Sequence, residues 1–221
     1  MSNKSNQMNS IIKSRKVLIQ MLEYRGYNTS ELNLINDNDL QDIYINNKLD
    51  ILVDHKNEDK SLLVYYCDNS IGKLGTKILK NILQNITNNS FNNIKLKDNT
   101  IDVIILSNDP ITDVLLKECY NYYENSFIKN KKGIYIQLFE LRSLLFNITE
   151  CDIVPRHTIM NDDEFEKEIK IPFNVNKATS LPIILKSDPV AMFIGLRPKQ
   201  TCRITRISET SGLYNNYRYC K

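Results

Sequence analysis

No apolar run in this 221-residue chain reaches the roughly 20 residues that a bilayer-spanning helix needs, so no such helix is expected. Met1 to Ser10 is polar, rich in Asn and Ser, and lacks the apolar core of a secretory signal. Cysteine is scattered: Cys67, Cys119, Cys151, Cys202 and Cys220 are odd in number and form no CxxC pair. Only His55 and His157 are available to complete a metal site, which argues against zinc and favours a reducing compartment. The matches Asn85-Ile86-Thr87 and Asn147-Ile148-Thr149 then read as chance products of an Asn-rich sequence rather than glycosylation sites. Strong charge is lacking too. A net charge of +3 and a pI near 8.5 are too weak for an autonomous nucleic-acid binder. There is no internal repeat.

What is present is ordinary for a soluble globular protein: 42% hydrophobic and 25% charged residues, in a length that suits one large domain or two small ones. Heavy use of Asn, Ile and Lys suggests an AT-rich genome. The first part, residues 1–145, alternates helix and strand. Ser10 to Arg25 is predicted as an amphipathic helix with Ile11, Leu18 and Leu22 on one stripe and Gly26 closing it. Leu49 to Val53 and Leu62 to Tyr66 read as strands. Leu74, Ile78, Ile82 and Ile86 mark a helix by their spacing. Ile101 to Leu106 is a nearly continuous apolar run, as expected of a strand covered on both faces. A helix from Asp109-Pro110 to about Tyr123 and a strand over Gly133 to Phe139 follow. This order predicts a partly parallel sheet flanked by helices.

The second part, residues 146–221, reads as a small α+β domain. Asn161 is a cap for a helix whose first turn carries Asp162, Asp163 and Glu164. Asp188 and Pro189 start a short helix with Val190, Phe193 and Ile194 at helical spacing, and Gly195 suits its left-handed stop. Cys202 to Ile207 and Tyr214 to Cys220 read as strands about the loop Ser208 to Gly212, paired as an antiparallel hairpin. Alternation puts Tyr217 and Tyr219 on one face, with Asn216, Arg218 and Cys220 on the other. From Lys186 onward seven basic residues stand against two acidic ones, a net of +5. A solvated basic face is the simple account, and docking onto an acidic neighbour is the other. No residue of this part looks like a nucleophile, an acid–base pair or a metal cage.

Two features of the first part bear on chemistry. Ser107-Asn108-Asp109-Pro110-Ile111-Thr112 joins a strand to a helix, with Asp109 as cap, Pro110 at the first helical position and Asp113 in the first turn. A helix start there can face a phosphate, although Asp109 would weaken such a contact. Asp54…Glu58-Asp59-Lys60 loosely mimics the carboxylate-and-lysine pattern of metal-dependent nucleases. Glu58 and Lys60, however, fall in a polar turn between two strands.

The motif Leu181-Pro182…Ser187-Asp188-Pro189-Val190-Ala191…Gly195-Leu196…Arg203-Ile204…Arg206…Ser208-Glu209-Thr210-Ser211-Gly212…Tyr217-Arg218 resembles the assembly domain of the fifth subunit of eukaryotic RNA polymerases and of its archaeal counterpart. Asn147-Ile148-Thr149-Glu150…Val154-Pro155-Arg156-His157 resembles the entry into that domain, and Met21-Leu22…Arg25-Gly26-Tyr27 the end of the eukaryotic first helix. Departures are Cys151 where the family usually has His, a Pro198-Lys199-Gln200 turn without its glycine, and Leu213 in place of a basic residue. The resemblance implies a nuclease-like N-terminal core without an active site, and a C-terminal domain that docks on the largest subunit among the core subunits. The N-terminal domain would lie in the lower jaw, with the loop Asp109, Pro110, Ile111 and Thr112 near downstream duplex DNA, making weak contacts. It implies a non-catalytic part of a DNA-directed RNA polymerase, with no cofactor and no small-molecule substrate. Its place would be the nucleus in a cell, or a cytoplasmic factory or virion for a large DNA virus. The alternatives are a free-standing metal-dependent nuclease-like enzyme and a transcription adaptor that reuses the assembly domain.

Overall fold

The computed structural model of the chain describes residues 2–45, 49–67, 74–87, 90–91, 94–95, 100–130, 134–208, 210 and 212–221. They fall into two units, Met1–Phe146 and Asn147–Lys221.

The first unit opens with α1 (Ser2–Tyr24), longer than the predicted helix because no Gly or Pro precedes Gly26 to stop it. Ile11, Leu18, Met21 and Leu22 are its buried stripe. α2 (Asp37–Ile45) follows, then β1 (Ile51–Asp54) and β2 (Ser61–Tyr66), paired antiparallel. After α3 (Thr76–Thr87) come the short strands β3 (Ser90–Phe91) and β4 (Ile94–Lys95), then β5 (Thr100–Ser107). α4 (Asp113–Asn130) and β6 (Tyr135–Glu140) complete the main elements. The principal sheet has the order β1-β2-β5-β6, and β2, β5 and β6 run parallel.

The partly parallel sheet is thus present, and its strands are buried on both sides as crossover helices require. Leu63, Tyr65, Val103, Ile105, Ile136 and Leu138 share one core with Leu79, Ile82, Leu83 and Ile86 of α3 and Leu115 and Cys119 of α4. Residues of opposite parity, such as Leu62, Val64, Ile104 and Leu106, are equally buried. Several predicted bounds move. Leu74 precedes α3, whose buried rows are completed by Leu79 and Leu83, while Ile78 is only partly buried. α4 begins at Asp113, not at Asp109-Pro110, and extends past Tyr123. Gly133 lies outside the described residues.

A tight junction closes α1. Gly26 has φ +86°, and its N–H donates to the Glu23 carbonyl, while that of Tyr27 donates to Leu22. A Cβ on Gly26 would lie 2.7 Å from His55 Nε2. His55 meets the Tyr27 ring edge-on at 5.3 Å, and its Nδ1 accepts the backbone N–H groups of Asn57 and Glu58. The Tyr27 hydroxyl donates to Asp102 Oδ2 at 2.8 Å, tying the helix exit to β5.

In the second unit, β7 (Arg156–Ile159) leads to a helical excursion made of α5 (Asp162–Phe165), a π-turn (Glu166–Lys170) and α6 (Ile171–Phe173). Asn161 and Glu164 form a reciprocal capping box, so the predicted cap is present with both halves. Asn174, at φ 52°, ends the excursion in the left-handed conformation. β8 (Ile183–Ile184), α7 (Pro189–Ile194), β9 (Thr201–Ser208) and β10 (Gly212–Cys220) follow. The sheet order is β7-β9-β10-β8, with β9–β10 the expected antiparallel hairpin and β8 parallel to β10.

Replacing Gly26 with Ala imposes a Cβ on a left-handed backbone and drives it into His55. Denaturant unfolding of the variant is expected to show a loss of about 2 kcal/mol, and Gly26→Ala with wild-type stability would refute this account of the junction.

Candidate functional site

The C-terminal motif folds as its residue types dictate. The Asp188 carboxylate accepts the N–H groups of Val190 and Ala191 at 2.9 and 3.2 Å, and Pro189 occupies the first helical position. Gly195 has φ 75°, the left-handed stop. Val190, Ala191, Phe193 and Ile194 are buried. The Pro182 carbonyl accepts from Tyr219 N–H, Ile184 O from Lys221 N–H, and Lys221 O from Lys186 N–H. Arg218 donates to the Ile183 carbonyl at 2.9 Å. Leu181 is half-buried ahead of β8. His157 is buried, its Nδ1 2.7 Å from the Pro155 carbonyl, so a proton on Nδ1 would donate there. At the hairpin tip the Ser208 and Thr210 hydroxyls are 3.2 Å apart, and Gly212 is left-handed at φ 67°. Glu209 and Ser211 lie outside the described residues.

The three arginines of the motif part company. Arg203 Nη1 donates to Glu168 Oε1 at 2.5 Å, and the Tyr217 hydroxyl donates to Glu168 Oε2 at 3.1 Å. Arg203 and Tyr217 are register partners across β9 and β10, so one carboxylate of the π-turn holds both strands. Burial, then the Glu168 carboxylate, pushes the Tyr217 phenol up. Phe173 adds a tilted ring contact to Tyr217 at 6.5 Å. Arg218 is engaged with β8, whereas Arg206 is exposed beside its register partner Tyr214. Glu168 escaped the sequence reading because it lies 35 residues from Arg203. Only its position in a predicted helix facing the strand pair could have signalled it.

Lys199 is the other surprise. It adopts φ 75°, and its N–H donates to the Cys220 carbonyl at 2.9 Å. The turn noted for its missing glycine therefore keeps the glycine conformation with a lysine in it. Gln200 helps fix it by accepting Arg197 N–H at 2.8 Å.

In the first unit, the loop before α4 is organised by two carboxylates. Asp109 does not cap α4; its Oδ2 accepts the Leu74 N–H at 3.3 Å. Ile111 N–H donates to Glu140 Oε1 at 3.0 Å, and this bond lowers the Glu140 pKa below the usual carboxylate range. Glu140 also pairs with Arg142. The Thr112 carbonyl accepts the first α4 bonds, from Leu115 and Leu116, and Pro110 sits exposed between these anchors. Asp109, Asp113 and Glu140 give the loop an acidic cast.

The nuclease-like pattern is dispersed in hydrogen bonds. Ser61 donates to Asp54 at 2.6 Å, and Glu58 pairs with Lys60 at 2.8 Å in the β1–β2 turn. Among the described residues, no three His, Cys, Asp or Glu side chains converge as metal ligands. Burial raises the thiols of Cys202 and Cys220 to about 11 and that of Cys119 to about 12, so these sulfurs are not nucleophiles near neutrality.

The C-terminal unit sets a capped helix against a four-stranded mixed sheet held by backbone and ion-pair contacts. Residues 146–220 match the family model described as RNA polymerase Rpb5, C-terminal domain. A relative from Caenorhabditis briggsae, subunit RPABC1 of DNA-directed RNA polymerases I, II and III, is 27% identical over 215 residues and 92% of each chain. Its Caenorhabditis elegans counterpart is also 27% identical, over 217 residues and 92% of each chain. The Dictyostelium discoideum subunit rpabc1 is 37% identical over 90 residues, 41% of this chain and 45% of its own length. The C-terminal unit thus matches the Rpb5 C-terminal domain, and the chain is similar along nearly its whole length to polymerase subunits of the fifth-subunit type, as its motif implies.

Glu168→Gln keeps size and removes the charge that holds Arg203. Chemical denaturation should show a loss of about 1 kcal/mol, and an unchanged midpoint would dismiss the clamp as idle. Lys199→Gly relieves a left-handed lysine at some cost in chain entropy, so a gain of about 0.5–1 kcal/mol is expected; a destabilised variant would overturn this reading of the turn.

Proposed function

We propose that the chain is a non-catalytic subunit of a multisubunit DNA-directed RNA polymerase and acts in transcription. The observation that carries this is similarity to polymerase subunits along nearly the whole length, together with the C-terminal family match. It associates with other polymerase subunits. The C-terminal unit docks on the largest subunit, and the motif from Leu181 to Arg218 supplies the rigid frame for that docking. Nucleotidyl transfer belongs to other subunits.

The N-terminal unit serves in the lower jaw, its mixed sheet a nuclease-like core without an active site. Asp109 and Glu140 hold the loop near residues 109–112 in shape, and that loop makes only weak contacts near downstream DNA, since its own carboxylates repel phosphate. Proximity set by docking makes such contacts count, because tethering raises their effective concentration. In a cell the assembly is nuclear. In a large DNA virus it works in cytoplasmic factories or is carried in virions.

Co-expression with the remaining polymerase subunits, followed by purification through the largest one, tests this. The chain is expected once per enzyme. Arg206→Glu should reduce its recovery several-fold at unchanged stability, because Arg206 is exposed, while Arg203→Glu should destabilise the unit itself. Absence of the chain from active polymerase would refute the proposal. So would Mg²⁺-dependent DNA cleavage by the purified chain that Glu58→Ala abolishes, since that is the behaviour of a nuclease.

A further inference from the structure

We infer that the outer edge of β10, from Leu213 to Tyr217, receives an extended segment of a partner polypeptide as an added strand, and that this segment is acidic as well as apolar. The inference rests on the polymerase-subunit reading and specifies how the C-terminal unit is held.

Hydrogen-bond phase identifies the edge. Cys220 N–H donates to Gln200 on the β9 side, whereas Tyr219 N–H donates to Pro182 and Lys221 N–H to Ile184 on the β8 side. Backbone groups alternate sides along an antiparallel strand. Gly212, Tyr214, Asn216 and Arg218 therefore face β9, and Leu213, Asn215 and Tyr217 face outward. β8 covers only Tyr219 and Cys220. Among the described residues, no backbone partner lies outside Leu213, Asn215 or Tyr217. These three residues present N–H and C=O groups at two-residue spacing over roughly 17 Å, enough for a five-residue strand. Unpaired edges of this kind are templates for strand addition.

Side chains specify the occupant. Leu213 and Ile207 are register partners, 72% and 87% exposed, and form an apolar pair on one face. On the other face lie Tyr214, Asn216 and Arg218, with Arg206 beside Tyr214. β9 and β10 contain no Asp or Glu. Glu168 neutralises Arg203 from the opposite face, which leaves the charges of Arg206 and Arg218 unanswered by any acid of the strand pair. An added strand would thus alternate an apolar residue over Leu213 and Ile207 with a carboxylate toward the arginines.

Asn215→Pro is the direct test. It deletes an outward N–H and obstructs an added strand; the β9–β10 backbone bonds remain, since proline is tolerated where the N–H faces out, and only the bond from the Thr205 hydroxyl to the Asn215 side chain is lost. In the co-expression experiment, parent chain should enter polymerase and Asn215→Pro should fall at least tenfold, with an unchanged circular dichroism spectrum. Equal incorporation overturns the inference. If the parent chain fails to enter, the polymerase reading itself has failed. Residue-resolved amide exchange on the unmutated chain covers the case where the proline variant misfolds. Leu213, Asn215 and Tyr217 should exchange fast in the free chain and at least tenfold slower in the assembled enzyme, while Tyr214, Asn216 and Arg218 are protected in both. Unchanged exchange at the three outward amides overturns it, as does their protection in a self-associated free chain, which would make a second copy the occupant.

Discussion

Pairing of β9 with β10 is the constraint on which the C-terminal unit depends. Its register sets Arg203 opposite Tyr217, and only in that register can a single Glu168 carboxylate serve both. A one-residue slip of β10 would turn Tyr217 to the other face and leave the carboxylate with Arg203 alone. The same register presents Tyr219 to Pro182, and so fixes where β8 attaches. Helix α7 is then seated by its own cap and by the backbone bond between Lys186 and Lys221.

The N-terminal unit solves a different problem. Three parallel strands need crossover helices on their faces, and the buried residues of both parities on β2 and β5 meet that need. Loops at the strand ends are then fixed by carboxylates that accept backbone N–H groups. Asp109 and Glu140 do this at long range, across 35 and 29 residues. Their acidity organises the chain itself, which leaves little for a phosphate ligand.

Much of this was legible from the residues. Local signals carried well: Asn161 with Glu164, Asp188 with Pro189, Gly195, and the alternation along β9 and β10 all act within a few residues. The failures share a cause. Asp109-Pro110 has the form of a helix start, yet a tertiary acceptor role for Asp109 outcompeted capping, and α4 begins at Asp113. Glu168 and the Tyr27–Asp102 bond link residues 35 to 75 positions apart, where no short-range pattern speaks. Lys199 kept a conformation that its residue type disfavours because the surrounding backbone bonds impose it.

Gly26 and His55 have a historical consequence. Each is tolerable beside the other, but the space between them belongs to the imidazole. A lineage that first exchanges His55 for a smaller residue removes the steric half of the barrier at position 26, leaving only the backbone half. The reverse order meets both at once. Two positions 29 apart in the chain thus permit substitution in one sequence of events and resist it in the other, a ratchet made from one ring nitrogen and one absent methyl group.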